Sequence, residues 1–201
     1  MNRLVFVFLA LALLLIDRSF LSGGFFEWIL KETLLLTVIP LLSLYFFKIS
    51  PGEVGLSLKS WRLSVKYAGA LLLLAIPIML YGAGLESFRA YYPMWAPAGD
   101  SLRNFLLYQS MIAILMFNTE FLFRGYLLFS LEKELGKTPA LILHAIPYML
   151  VHIGKPGLEV PYSFFAGLVF GYMALKTRSI LPGFLVHFLG SAGFEASVLY
   201  L

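Results

Sequence analysis

Apolar runs of membrane length follow one another along almost the whole chain, and the charges between them are too few to coat a water-facing surface. Charged residues make up 13% of the sequence and hydrophobic residues 60%, with a mean hydropathy of +0.87. A soluble domain carries about 25% charged and roughly 45–50% apolar residues. The expected fold class is therefore all-α, a polytopic integral membrane protein. At 201 residues it is expected to form a single membrane domain.

A spanning helix needs about 20 mostly apolar residues. The first candidate runs from Leu4 to about Leu21, interrupted by Asp17 and Arg18. Arg3, the apolar run and Ser22-Gly23-Gly24 also resemble a signal peptide with a cleavage site. The membranous sequence downstream favours a retained first span. The second candidate starts at Phe25 or Thr33 and ends at Phe47, with Pro40 inside it. A basic loop, Lys48–Lys66, turns at Pro51-Gly52. The third span covers about Tyr67–Leu85, and a polar aromatic stretch, Glu86–Ser101, suits the membrane interface. A long helix is expected from Leu102 to Glu134, ended by Gly136 and Pro139. Shorter runs follow at about Thr138–Ile153, Val160–Leu175 and Ile180–Leu201, for about seven spans in all.

Lys and Arg number 15 against 11 Asp and Glu, a net charge of +4. The basic residues are scattered between the apolar runs, so the positive-inside bias explains them and no nucleic-acid partner is expected. With seven spans, Arg3, Lys48, Lys59, Arg62, Lys66, Lys133, Lys137, Lys176 and Arg178 share one side. Arg18, Lys31, Arg89, Arg103 and Lys155 take the other. The heavier set predicts a cytoplasmic N-terminus. The absence of cysteine removes disulfides, thiolate metal sites and Cys nucleophiles.

Ionisable groups inside apolar runs carry the functional signal. A charge at mid-bilayer costs at least about 2.5–3.5 kcal/mol on insertion scales, so each needs a partner or a task. Glu120 and Arg124 are four apart on the long helix. His144, Tyr148 and His152 recur at intervals of four on the next helix, and His187, Ser191 and Glu195 do so on the last. Each stripe has a structural reading: an ion pair, a helix-packing histidine (retained for His144) or an interfacial Glu195. Together, one carboxylate and two histidines on three helices could form one pocket that holds a water and orients a carbonyl.

In order, the chain offers T-E-F-L-F-R-G from Thr119, Y-M-L-V-H from Tyr148 and H-F-L-G-S from His187. F-F-A-G-L-V-F-G-Y from Phe164 and T-R-S-I-L-P-G-F-L-V-H from Thr177 lie between them. This series resembles the CPBP family (CAAX protease and bacteriocin-processing, or Abi), intramembrane proteases that include the type II CAAX prenyl endopeptidases. The family pattern is E-E-x-x-x-R, then F-x-x-x-H, then H-x-x-x-N. The resemblance covers about Leu102–Ser191. It divides the membrane domain into N-terminal helices and loops, 1–101, and a catalytic core, 102–201.

The resemblance implies an endopeptidase acting on a peptide or lipidated protein within membrane lipid. Its catalytic residues would be Glu120, His152, His187 and Ser191, supported by Arg124, Tyr148, Glu195 and Glu159. Glu120 would deprotonate a water near His152, while His187 and Ser191 stabilise the oxyanion. The chain departs from the pattern where Thr119 replaces the first Glu, the family's usual base, and where Ser191 replaces Asn. Glu159 and Glu195 are the substitute carboxylates. Metal-independent chemistry is expected without a cofactor. The zinc alternative would use Glu120, His152 and His187. Two other readings are a non-catalytic relative, such as a bacteriocin immunity or assembly partner, and a small proton-coupled transporter. The expected location is the plasma membrane of a prokaryote.

Overall fold

Backbone N–H and C=O groups in hydrocarbon must be satisfied within the protein, and a helix does this inside one segment. The computed structural model describes residues 2–201 and is helical, with no strand among the described residues. The principal helices are α1 (Leu4–Ser19), α2 (Phe25–Phe46), α3 (Trp61–Ala83), α4 (Leu102–Leu135), α5 (Lys137–Leu150), α6 (Glu159–Thr177) and α7 (Leu181–Tyr200). They occupy the seven apolar runs of the sequence. Three of them, α2, α3 and α4, are long and apolar enough to cross a membrane by length and composition. Helix α1 has only 16 residues and α5 only 14. His187, Ser191 and Glu195 interrupt the apolar sequence of α7.

Local chemistry sets the breaks. Ser101 caps α4, its hydroxyl accepting the Asn104 N–H at 3.2 Å. Gly136, at φ +80°, turns the chain from α4 into α5, a conformation open to glycine. In α2 the backbone widens into a π-helical turn at Leu34–Val38, immediately before Pro40, whose ring cannot fit a regular turn. The expected loop around Lys48–Lys66 is shorter than read: Arg62 and Lys66 already lie on α3. Both are exposed, so their long side chains tolerate a helix that begins at the polar boundary.

Helix α4 is the axis of the bundle. Its 34 residues would reach about 51 Å at 1.5 Å each. It widens into a π-helical segment at Phe121–Leu127, every residue of which is buried. Phe121, Leu122, Tyr126 and Leu128 pack with residues of α1, α2, α5 and α6 in the main core. Asn118 ties α4 to α2: its amide donates to Thr33 at 2.8 Å, and its carbonyl accepts from Thr37 at 2.7 Å. Helix α3 is peripheral, packing mainly along α7 and leaving most of its surface outside the bundle.

Five of the basic residues make contacts at two opposite ends of the bundle. At one, Arg3 pairs with Glu53 at 2.5 Å, Lys133 with Glu53 at 3.2 Å and Arg178 with Glu132 at 2.5 Å. At the other, Arg18 donates to the Val151 carbonyl at 2.8 Å and Lys31 pairs with Asp17 at 2.9 Å.

Candidate active site

Glu120 and Arg124 lie where α4 passes into its π-helical segment, and neither side chain has measurable exposure. Arg124 Nη1 is 3.2 Å from Glu120 Oε1, so the two charges compensate each other. The guanidinium sits 3.8 Å from the centre of the Tyr148 ring and 5.1 Å from that of Phe170. In a desolvated setting such cation–aromatic contacts contribute about 2 kcal/mol or more. Gly183, at the start of α7, leaves the space Glu120 fills: a Cβ there would collide with the carboxylate.

His187 faces this pair from α7, with Nδ1 3.0 Å from Glu120 Oε1. A proton on Nδ1 is donated to the carboxylate, and Nε2 is left free for other partners. The His187 ring also lies 6.3 Å from Tyr148 and 5.9 Å from Phe170. His152, just past the end of α5, packs its ring 4.7 Å from that of Tyr148. Its Nδ1 is 2.7 Å from the Tyr148 carbonyl oxygen. A carbonyl only accepts, so Nδ1 carries a proton, and Nε2 of the neutral ring is an acceptor.

A partly open cavity of about 460 Å³ joins the two imidazoles. His152, His187, Ser191, Tyr148, Glu159 and Glu195 all line it. Leu72, Ile78 and Met79 of α3 and Phe194 of α7 supply an apolar wall. Glu120 and Arg124 are not part of the lining, and no other residue of α4 is. The expected carboxylate therefore stands behind His187 rather than in the cavity. Thr119, at the position of the family's first Glu, donates its hydroxyl to the Leu115 carbonyl at 2.9 Å. His144 remains apart, fully buried and 2.8 Å from the Leu141 carbonyl.

The two other carboxylates differ in their partners. Glu195 accepts from the Tyr108 hydroxyl and from Gln109 Nε2 at 2.7 Å, a tie between α7 and α4. Glu159 accepts from Tyr92 at 2.8 Å through one oxygen and from Lys155 at 2.8 Å through the other. Burial, followed by the Glu159 charge, pushes the Tyr92 hydroxyl far above the usual phenol range, which keeps it a donor. Sequence reasoning missed Tyr92 and Phe88, which the connection from α3 to α4 brings to the cavity. The aromatic character of Glu86–Ser101 was the available signal, and an interfacial position explained it equally well.

The zinc ligand set does not fit. Glu120 Oε1 is taken by His187 and Arg124, so Glu120 and His187 form a hydrogen-bonded pair rather than converging ligands. No group of three His, Asp or Glu side chains among the described residues could hold a metal ion.

A helical bundle with membrane-length helices around an apolar-walled cavity that holds a few polar groups is an integral membrane protein. Residues 102–192 match the family model described as type II CAAX prenyl endopeptidase Rce1-like, a similarity over slightly less than half of the chain that agrees with the CPBP resemblance. The match covers all three motifs, including Thr119 and Ser191. No curated protein and no solved structure matched the chain.

Proposed function

We propose that the protein is an intramembrane endopeptidase resembling the type II CAAX prenyl endopeptidases. Its substrate is a peptide or lipidated protein that reaches the cavity from the bilayer. The observation supporting this most directly is the meeting of His152, His187 and Ser191 in one cavity, with Glu120 hydrogen-bonded behind His187. All seven principal helices would then cross or partly cross the membrane. The end carrying Arg3, Lys133 and Arg178 would face the cytoplasm of a prokaryote.

The scissile carbonyl lies among the two imidazoles and Ser191, and a carboxylate-activated water attacks its carbon. Ser191 donates to the oxygen as it becomes an oxyanion. One such donor contributes about 10²–10³ in kcat. Glu120, neutralised by Arg124, fixes the His187 ring so that Nε2 faces the reacting group. The apolar wall from α3 and α7 admits a substrate that is itself apolar beside the cleaved bond.

The test is cleavage of fluorescence-quenched membrane peptides by the purified protein in liposomes, with and without chelator. Expected results are turnover by the wild type, no effect of chelator, and loss of turnover in a folded His187→Ala variant. A folded wild type that cleaves nothing while the cells still require it would support the non-catalytic reading instead.

A further inference from the structure

We infer that Glu159 is the carboxylate that activates the hydrolytic water, in the role that Thr119 leaves without an acid group. The assignment rests on the endopeptidase reading and deepens it.

Three carboxylates are near the cavity, and their surroundings separate them. Glu120 is fully buried outside the cavity lining, with Oε1 engaged by His187 and Arg124. Glu195 lines the cavity but is tied to α4 by Tyr108 and Gln109, and no imidazole nitrogen is paired with it. Glu159 alone stands opposite a free imidazole nitrogen: its Oε1 is 3.9 Å from His152 Nε2.

That separation is too long for a direct hydrogen bond, and both atoms are acceptors when the His152 ring is neutral. A water between them satisfies both, giving one proton to Glu159 and one to His152. Its lone pairs are then turned away from both bases toward the cavity. Tyr92 on Oε2 and Lys155 on Oε1 hold the carboxylate in place. The base is thus supplied by the first residue of α6 instead of by α4.

The reaction balances without a further reagent. Glu159 takes one proton from the water as its oxygen bonds to the scissile carbon, and the carbonyl π pair moves to the oxygen. On collapse the carbon–nitrogen bond breaks, and the proton on Glu159 passes to the departing nitrogen. The products are a carboxylic acid and an amine, with Glu159 ionised again.

The experiment uses the full chain in liposomes with a quenched peptide library carrying an apolar segment of about 20 residues and a short polar tail. Glu159→Gln preserves shape and an acceptor for Tyr92, and should lower kcat at least about 10²-fold with KM little changed. Glu159→Ala should be inactive and regain turnover when formate or azide is added, which a purely structural role would not produce. Wild-type turnover with Glu159→Gln within about threefold of it overturns the assignment and leaves the endopeptidase reading intact. So does inactive Glu159→Ala that neither small anion restores. A folded wild type that cleaves none of the library overturns the reading and the assignment together.

Discussion

His187 Nδ1 lies 3.0 Å from Glu120 Oε1, joining α7 to α4 through a carboxylate with no exposed surface. The same oxygen faces Arg124 at 3.2 Å, so one atom carries both an ion pair and the orientation of an imidazole. Structural stability and the direction of His187 Nε2 are consequently linked through Glu120.

Removing one partner of a buried pair leaves the other charge uncompensated, at a cost of about 3–5 kcal/mol. Glu120→Gln should therefore lower thermal stability in detergent and also reduce turnover. The double variant Glu120→Gln with Arg124→Met removes both charges and should recover much of the stability. It should not recover turnover, because the carboxylate that holds His187 is still missing. Thermal unfolding and cleavage measured on the same preparations separate the two effects. Full activity in the double variant would show that Glu120 acts only as a counter-ion.

Gly183 tests the same relationship from the other side. An added methyl meets the Glu120 carboxylate, which is hemmed in by His187 and Arg124 and cannot retreat freely. Gly183→Ala should destabilise by about 1–3 kcal/mol, as overpacking does. Gly125→Ala should be at least as severe, because the added Cβ would lie 2.7 Å from the Val54 carbonyl, a backbone atom. Unfolding midpoints of the two variants check the order.

Much of the site was legible because its residues repeat at helical spacing. Glu120 and Arg124 at i and i+4 do form a pair, and the stripes of Tyr148 with His152 and of His187, Ser191 and Glu195 do face one cavity. The direction of α4 was not legible. Periodicity assumes a regular helix, whereas the backbone widens at Phe121–Leu127, directly after Glu120. That register puts Glu120 behind His187 and leaves α4 out of the cavity wall. The Tyr92 contact to Glu159 spans 67 residues and depends on how the α3–α4 connection folds back, which no local pattern encodes. Tyr108 and Gln109 were hidden for the same reason: their partner Glu195 lies on another helix.

The cluster of Arg3, Glu53 and Lys133 should make stability acid-sensitive. Glu53 lies outside the membrane-length helices, and hydrogen bonds from Lys133 and then from the Ser50 backbone hold its carboxyl below the ordinary value of 4.5. A carboxyl lowered in the folded state contributes stability above its unfolded value, lost as pH falls through the folded one. The effect should be small because the Glu53 side chain is 40% exposed. Unfolding followed from pH 6 downward should show a decline beginning near that ordinary value, and Glu53→Gln should flatten it. An identical acid profile in the variant would assign the decline to other groups.

Ser191 stands where the CPBP pattern has Asn, one helical turn beyond His187 and in the cavity wall. A hydroxyl offers a single proton that rotates to suit its partner, whereas an amide offers two from a longer, planar group. If Ser191 donates to the developing oxyanion, Ser191→Ala should lower kcat by about 10²–10³ while KM changes little, since the bond strengthens only as charge develops. Ser191→Asn should keep a donor and retain far more activity than Ser191→Ala, provided the larger side chain finds room in the cavity. Ser191→Val provides the contrast, adding bulk without a donor, and should be as slow as Ser191→Ala. Steady-state cleavage by these three variants distinguishes donation from filling. Equal losses in Ser191→Asn and Ser191→Val would mean that the position is limited by volume and that another group carries the oxyanion.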